Sequence, residues 1–103
     1  MNDYNIKKYI NLLTLFVTGK ISAVAFEHRY LELFKNDSTL YSETLFLILD
    51  KLFGDVDAFC ADSTLRDEFD LDEKQLRQAC IQTLAKLELM LAQKSFHKIT
   101  VTV

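Results

Sequence analysis

The scarcity of residues that reverse the chain direction is the strongest constraint on how this sequence can fold. Its 103 residues include no proline and only two glycines, Gly19 and Gly54. A β-sandwich or barrel needs many tight turns, which depend on such residues. Half of the residues are hydrophobic, enough to build one core without disulfides or metals. The sequence therefore predicts one domain, residues 1–103, made of a few long helices.

Apolar residues recur at spacings of three and four in four segments, the pattern of amphipathic helices. Gly19 can end the first helix, Ser22 can cap the second, and Asp72 with Gln75 can form a capping box for the fourth. The predicted helices cover about Asp3–Thr18, Ser22–Asn36, a third segment beginning between Ser38 and Ser42 and continuing to Phe59, and Asp72–Gln93. Ala61–Phe69 lacks a period and is predicted to be a loop. The expected fold is all-α, an antiparallel four-helix bundle.

Two places depart from this regular pattern. Gly54 lies inside the third predicted helix, where glycine costs about 1 kcal/mol relative to alanine, so a kink or break is expected there. After Gln93, Ile99–Val103 alternates apolar residues with threonine, which is a strand pattern. A single strand has no evident pairing partner. The segment Phe96–Val103 is therefore expected to be a short irregular or strand-like tail. It could be an ordered extension, a frayed end or a strand edge that pairs with a partner.

The residues that build most enzyme and metal sites are sparse. Cys60 and Cys80 form no C-x-x-C motif and, with two histidines, make no zinc quartet. They are expected to be reduced core thiols in a reducing compartment. Asp70-x-Asp72 opens like a calcium loop, but the later ligand positions do not fit. No phosphate loop, H-E-x-x-H motif or nucleophile motif is present. We therefore expect no catalytic residue, no metal and no cofactor.

The first segment also has features of a secretion signal. Lys7 and Lys8 precede the apolar run Tyr9–Val17, but Asn11 and Thr14 interrupt that run. No apolar run reaches the roughly 18 residues that span a bilayer. The helical periodicity instead favours a protein that is cytoplasmic and does not bind membranes.

Acidic residues are concentrated in one segment. Residues 50–73 have a net charge of −7, and the remainder of the chain is +4. Asp70, Asp72 and Glu73 fit the N-terminus of the fourth helix, where negative charge is favourable. Asp55, Asp57 and Asp62 have no such role. The segment is therefore either a solvated loop or a binding patch, and its charge argues against nucleic-acid binding.

Two stretches resemble colicin D-type immunity proteins. LFVTGKISAVAFEHRYLELF, Leu15–Phe34, resembles the first helical hairpin of that family. LFGDVDAFCADSTLRDEFDLDEKQLRQACIQTLAKLE, Leu52–Glu88, resembles its second half, with an aromatic, acid-rich loop and a final amphipathic helix. The resemblance covers a little over half of the chain. It implies a four-helix bundle that protects a toxin-producing bacterium.

The resemblance also implies a mechanism and a partner. Members of the family bind the ribonuclease domain of a tRNA-cleaving toxin and block its active site, with acidic side chains in place of the phosphates of the substrate. Asp57 and Asp62 match family positions, and Cys60 occupies a position where the family can carry an acid. The candidate toxin-binding residues are Asp55, Asp57, Asp62, Asp67, Glu68 and Asp70. The implied partner is a cognate nuclease toxin in a 1:1 heterodimer, from either a colicin or a contact-dependent growth inhibition system.

Two other classes of function remain compatible with the residues alone. One is a helical adaptor or antitoxin that presents its acidic end to a regulator, without a nuclease target. The other is a small enzyme that uses carboxyl groups for acid–base chemistry, which requires a concave site.

Overall fold

The described part of the chain forms four α-helices preceded by one turn of 3₁₀ helix. The structure, a computed structural model, describes the backbone of residues 3–101 and the side chains of residues 5–93. The 3₁₀ turn is Asp3–Ile6, and the helices are α1, Lys7–Val17; α2, Ala23–Lys35; α3, Glu43–Asp57; and α4, Glu73–Val101. The described backbone contains no strand, only one isolated bridge between Phe59 and Leu71. The predicted all-α, antiparallel four-helix bundle is confirmed.

Three of the predicted helix boundaries, at Gly19, Ser22 and Asp72, are also confirmed. Gly19 has a φ of +79°, the left-handed conformation that glycine adopts without steric cost after a helix. The Ser22 hydroxyl accepts a hydrogen bond from the Ala25 backbone N–H at 3.1 Å. At the start of α4, the Asp72 carboxylate accepts from the Gln75 N–H at 2.7 Å, and the Gln75 side chain accepts from the Asp72 N–H at 2.9 Å. This reciprocal pair is a capping box.

Each helix packs against two neighbours: α1 and α3 both contact α2 and α4. The Arg77 side chain joins the end of α1 to the start of α4. It donates a hydrogen bond to the Phe16 carbonyl oxygen at 2.7 Å and lies 4.4 Å from the centre of the Phe16 ring. The same oxygen also accepts from the Gly19 N–H at 3.0 Å, so Arg77 adds a second hydrogen bond to this carbonyl at the end of α1. The connection from α3 to α4 therefore lies at the end of the bundle where α1 terminates.

The core is rich in aromatic side chains. Phe16 and Phe26 stack with their ring centres 4.8 Å apart, and Phe34 and Phe53 stack at 5.0 Å. Tyr30 is fully buried and donates its hydroxyl to the Leu49 carbonyl oxygen at 2.8 Å. Burial raises the pKa of the Tyr30 phenol, which keeps it a hydrogen-bond donor. Leu12 is also buried, although it lies outside the predicted stripe of the first helix. The other buried positions follow the predicted apolar stripes: Ile6, Tyr9, Leu13, Phe16, Ala23, Phe26, Tyr30, Leu45, Leu49, Leu52, Val56, Phe59, Leu76, Cys80, Thr83 and Leu87.

The helix bounds contradict two local expectations, a break at Gly54 and an end of α4 near Gln93. Helix α3 continues through Gly54 without a break, and the Ala58 N–H donates to the Gly54 carbonyl oxygen at 3.0 Å. Buried Leu52 and Val56 on either side of Gly54 keep the helix packed across it. Helix α4 does not end near Gln93 but continues to Val101. The predicted irregular or strand-like tail is thus helical over residues 96–101, and the rest of it, residues 102 and 103, lies outside the described residues.

The connection between α2 and α3 is held by a buried carboxylate. Asp37 accepts hydrogen bonds from the hydroxyls of Tyr9 and Tyr41 at 2.7 and 2.6 Å. Its second oxygen accepts from the Thr39 N–H at 3.1 Å and pairs with the Lys8 ammonium at 3.1 Å. Burial alone would raise the pKa of Asp37, but these hydrogen bonds hold it well below its usual range. Asp37 is therefore an ionised acceptor at neutral pH.

Candidate partner-binding site

The connection from α3 to α4 is closed at its base by backbone hydrogen bonds. The Cys60 N–H donates to the Leu71 carbonyl oxygen, and the Leu71 N–H donates to the Ala58 carbonyl oxygen, both at 2.9 Å. Phe59 is buried beside this bridge. The Arg66 guanidinium spans the loop and donates to the Cys60 carbonyl oxygen at 3.0 Å. Residues 60–70, called here the acidic loop, therefore project from a fixed base.

Asp62 organises the first half of the acidic loop. Its carboxylate accepts from the Thr64 N–H at 2.9 Å and from the Thr64 hydroxyl at 2.7 Å. These hydrogen bonds, with the charge of nearby Arg66, lower the pKa of Asp62. Carboxylates commonly stabilise a turn by accepting from the N–H two residues later. Asp62 thus has a structural role as well as an exposed charge.

Asp67 and Asp70 organise the second half in the same way. The Asp67 carboxylate accepts from the Phe69 N–H at 2.9 Å, and the Asp70 carboxylate accepts from the Asp67 N–H at 3.1 Å. Glu68 is exposed between them. Three of the four acids in the loop therefore hold its backbone in place, and all four lie in one short segment.

The two candidate acids on α3 differ from each other. Asp57 is the last residue of α3 and is exposed where the helix leads into the loop. Asp55 pairs with Lys51 at 3.2 Å, and only 26% of its side chain is exposed. Its charge also helps burial to raise the pKa of the Cys80 thiol on α4 to about 12. Asp55 therefore faces the α4 side, with its charge already partly neutralised.

Two exposed apolar side chains complete the acidic loop, and the charge pattern of the sequence does not point to them. Leu65 is 74% exposed and Phe69 is 80% exposed. One sequence feature could have identified them. Both are large apolar residues in a segment without helical periodicity, so the pattern assigns them no position in the core. Large exposed apolar residues together often mark protein contact surfaces. The hydrogen bond from Phe69 to Asp67 holds the backbone that carries this ring.

The described side chains outside the acidic loop include a surface groove and two free cysteines. Within the side chains that the structure describes, no three His, Cys, Asp or Glu converge as ligands for a metal ion. An open groove of about 500 Å³ lies between α1 and α2 and is lined by Lys8, Arg29 and Asp37, among others, but by no residue of the acidic loop. Over the described range, none of the helices is sufficiently long and apolar to cross a membrane. Cys60 is half-buried, and both cysteines are free thiols.

Comparison with known proteins identifies the family. A family model described as bacterial self-protective colicin-like immunity matches residues 4–87. The match extends from the 3₁₀ turn through the acidic loop and into the first half of α4. A search of curated proteins returned no significant match. Because the family model covers most of the chain, this protein belongs to the family of bacterial self-protective colicin-like immunity proteins.

Proposed function

We propose that this protein binds a cognate nuclease toxin and neutralises it by covering the cationic active site with the acidic loop and Asp57. Membership of the colicin-like immunity family supports a self-protective role and a toxin partner. The observation that carries the proposal is the acidic loop itself, which is fixed at its base and displays carboxylates beside exposed Leu65 and Phe69.

Electrostatics favours a nuclease as the target. A nuclease holds the phosphates of its substrate with lysine and arginine side chains. Carboxylates held in a fixed geometry can bind the same cations through charge-assisted hydrogen bonds. The turns formed by Asp62, Asp67 and Asp70 order the loop before binding, which lowers the entropic cost of association. Opposite charges also accelerate association, so the inhibitor can compete with tRNA.

The six candidate acids differ in how far the fold already occupies their carboxylates, and we expect their contributions to toxin binding to differ accordingly. Asp57 and Glu68 are exposed, and no side-chain hydrogen bond or ion pair occupies them within the described residues. They are free to meet cations of the toxin. Asp62, Asp67 and Asp70 hold the loop and present their remaining oxygens. Asp55 contributes least, because Lys51 already pairs with it.

Binding measurements with purified toxin domain test this proposal. We expect the double variant Asp57→Asn, Glu68→Gln to bind at least tenfold more weakly, a loss of about 1.4 kcal/mol. Its association rate should also depend less on salt than that of the wild type. The matched control is Glu32→Gln with Glu88→Gln, which removes two exposed charges from α2 and α4 and should leave affinity nearly unchanged. Equal affinity of the loop variant and the wild type would place the toxin on another face.

The single variants Asp57→Asn and Asp62→Asn separate the effect of lost charge from the effect of lost order in the loop. Both residues match family positions, and we expect each variant to weaken binding about tenfold. The loss at Asp62 includes loosening of the loop, because the hydrogen bonds from Thr64 weaken. Asp57 lacks that complication, so its variant isolates the charge. Affinity and salt dependence that survive both changes would show that the acidic loop is only solvated.

The proposal includes a non-catalytic mechanism in the cytoplasm, with one inhibitor per toxin domain. Inhibition should reach completion at a 1:1 ratio, and separating the proteins in denaturant should return active, chemically unchanged nuclease. A toxin recovered cleaved or modified would instead indicate an enzyme. Affinity capture from the producing strain identifies the partner. Capture of a regulator rather than a nuclease would favour the helical adaptor or antitoxin.

A further inference from the structure

The outer face of α3 is a continuous exposed surface that leads into the acidic loop. Its core-facing side is formed by buried Leu45, Leu49, Leu52 and Val56. The opposite side carries residues at alternating spacings of four and three, which align along one face of a helix. All five of these residues are exposed: Glu43, Leu47, Asp50, Gly54 and Asp57. We call them the outer α3 face.

Nothing in the fold requires a glycine at position 54. Apart from the adjacent backbone of its own helix, a Cβ atom added at this position would meet no atom within 4 Å, and the φ of Gly54 is not in the left-handed region. Alanine would fit there and would favour the helix. The fold therefore tolerates this glycine at a cost to stability, and the missing side chain leaves a notch in the middle of the outer α3 face. Glycine permits close approach of another molecule to the backbone.

Two carboxylates flank this notch. Asp50 precedes Gly54 by four residues and Asp57 follows it by three, so they lie about 6 Å and about 4.5 Å from it along the helix axis. Neither carboxylate forms an ion pair within the part of the chain that the structure describes. One turn before Asp50, Leu47 is 54% exposed. Lys51, three residues before Gly54, also borders the notch, but its ammonium already forms an ion pair on α3. The notch is thus bordered by two carboxylates without an ion pair, by one paired lysine and by one apolar side chain.

We propose that the toxin extends from the acidic loop along the outer α3 face and places one lysine or arginine side chain over Gly54, between Asp50 and Asp57. This inference rests on the proposed function and names the point of closest approach. A second copy of this chain that used the same face does not fit, because carboxylates would meet carboxylates. A cationic surface satisfies both acids and can cover Leu47.

Adding a side chain at Gly54 tests the inference, because stability and affinity should change in opposite directions. Gly54→Ala should raise the melting temperature by about 4–8 °C, the usual effect of the helix propensity gained in a domain of this size. Affinity for the purified toxin domain should fall about threefold for Gly54→Ala and at least tenfold for the larger, helix-compatible Gly54→Gln. Ala85→Gln adds the same side chain on the exposed side of α4 and should leave affinity unchanged.

A second measurement examines the flanking carboxylate. Asp50→Asn should weaken binding about fivefold in the wild type and by less in Gly54→Gln, because the added side chain already excludes the cation that pairs with Asp50. Unchanged affinity in Gly54→Gln, while the loop variant Asp57→Asn, Glu68→Gln binds weakly, would overturn this inference and leave the proposed function standing. Absence of toxin binding by the wild type would overturn both.

Discussion

Replacing Asp37 provides the sharpest test of how the bundle is held together. The side chain is only 4% exposed, and it accepts hydrogen bonds from two phenols and one backbone N–H in addition to pairing with Lys8. Asp37→Ala removes every acceptor of this group at once. Removing one partner of a buried charged network costs about 3–5 kcal/mol. That is a large share of the roughly 5–15 kcal/mol that stabilises a domain.

Asp37→Asn separates charge from shape. The amide has the size of the carboxylate but only one oxygen, and its NH₂ group cannot accept from the Tyr9 and Tyr41 hydroxyls if the oxygen faces Thr39. Each buried donor left without an acceptor costs about 1–3 kcal/mol, so we expect a loss of about 2–3 kcal/mol. Lys8→Met should cost only about 0.5–1 kcal/mol, because the Lys8 side chain is 37% exposed and solvent screens the pair.

Urea unfolding followed by far-UV circular dichroism at pH 7 measures these losses, with an unchanged m-value as the sign of an intact two-state transition. Asp50→Asn is the matched control, since this aspartate is exposed on α3, and it should stay within about 0.5 kcal/mol of the wild type. A loss below about 1 kcal/mol for Asp37→Ala would refute the reasoning, because the connection would then be held by packing alone.

The same residue determines a pH dependence. The pKa of Asp37 is lower in the folded protein than its usual value of about 3.9. Its contribution to stability is therefore complete above about pH 5 and declines as the pH falls below about 4 toward the folded pKa. The advantage of the wild type over Asp37→Asn should be constant near neutrality and shrink in acid. An advantage that grows on acidification would contradict the assigned direction of the pKa shift.

Other substitutions and reagents test the remaining features. Leu49→Ala should cost about 2–5 kcal/mol in urea unfolding, because Leu49 is fully buried, whereas exposed Leu47→Ala should change stability by less than about 0.5 kcal/mol. Asp72→Ala should lower the unfolding free energy by about 0.5–2 kcal/mol through loss of the capping box, and an unchanged value would show that α4 does not depend on it. Iodoacetamide at pH 8 should modify Cys80 in the native protein far more slowly than in urea, because burial raises its thiol pKa to about 12; mass spectrometry that finds Cys80 alkylated as quickly as Cys60 would contradict this.

Much of the fold and part of the candidate site could be predicted from the sequence alone. Apolar spacing predicts the four helices, and Ser22 and Asp72 mark helix starts because their partners are three residues away. The acidic loop is equally local, since its charge and its lack of period are visible in the order of residues. The exposure of Leu65 and Phe69 could not be predicted from the order of residues, because periodicity does not assign loop side chains to core or solvent.

Only the tertiary structure decided the contacts between distant residues. Tyr9 and Asp37 are 28 positions apart, and Phe16 and Arg77 are 61 positions apart, so no local pattern could pair them. Helix α4 continues to Val101 because each residue added to an existing helix gains a backbone hydrogen bond. The same residues as a single strand would have no neighbouring strand to pair with. The local sequence favours one or more conformations for each segment. The packing and hydrogen bonds of the assembled bundle determine which of them is adopted.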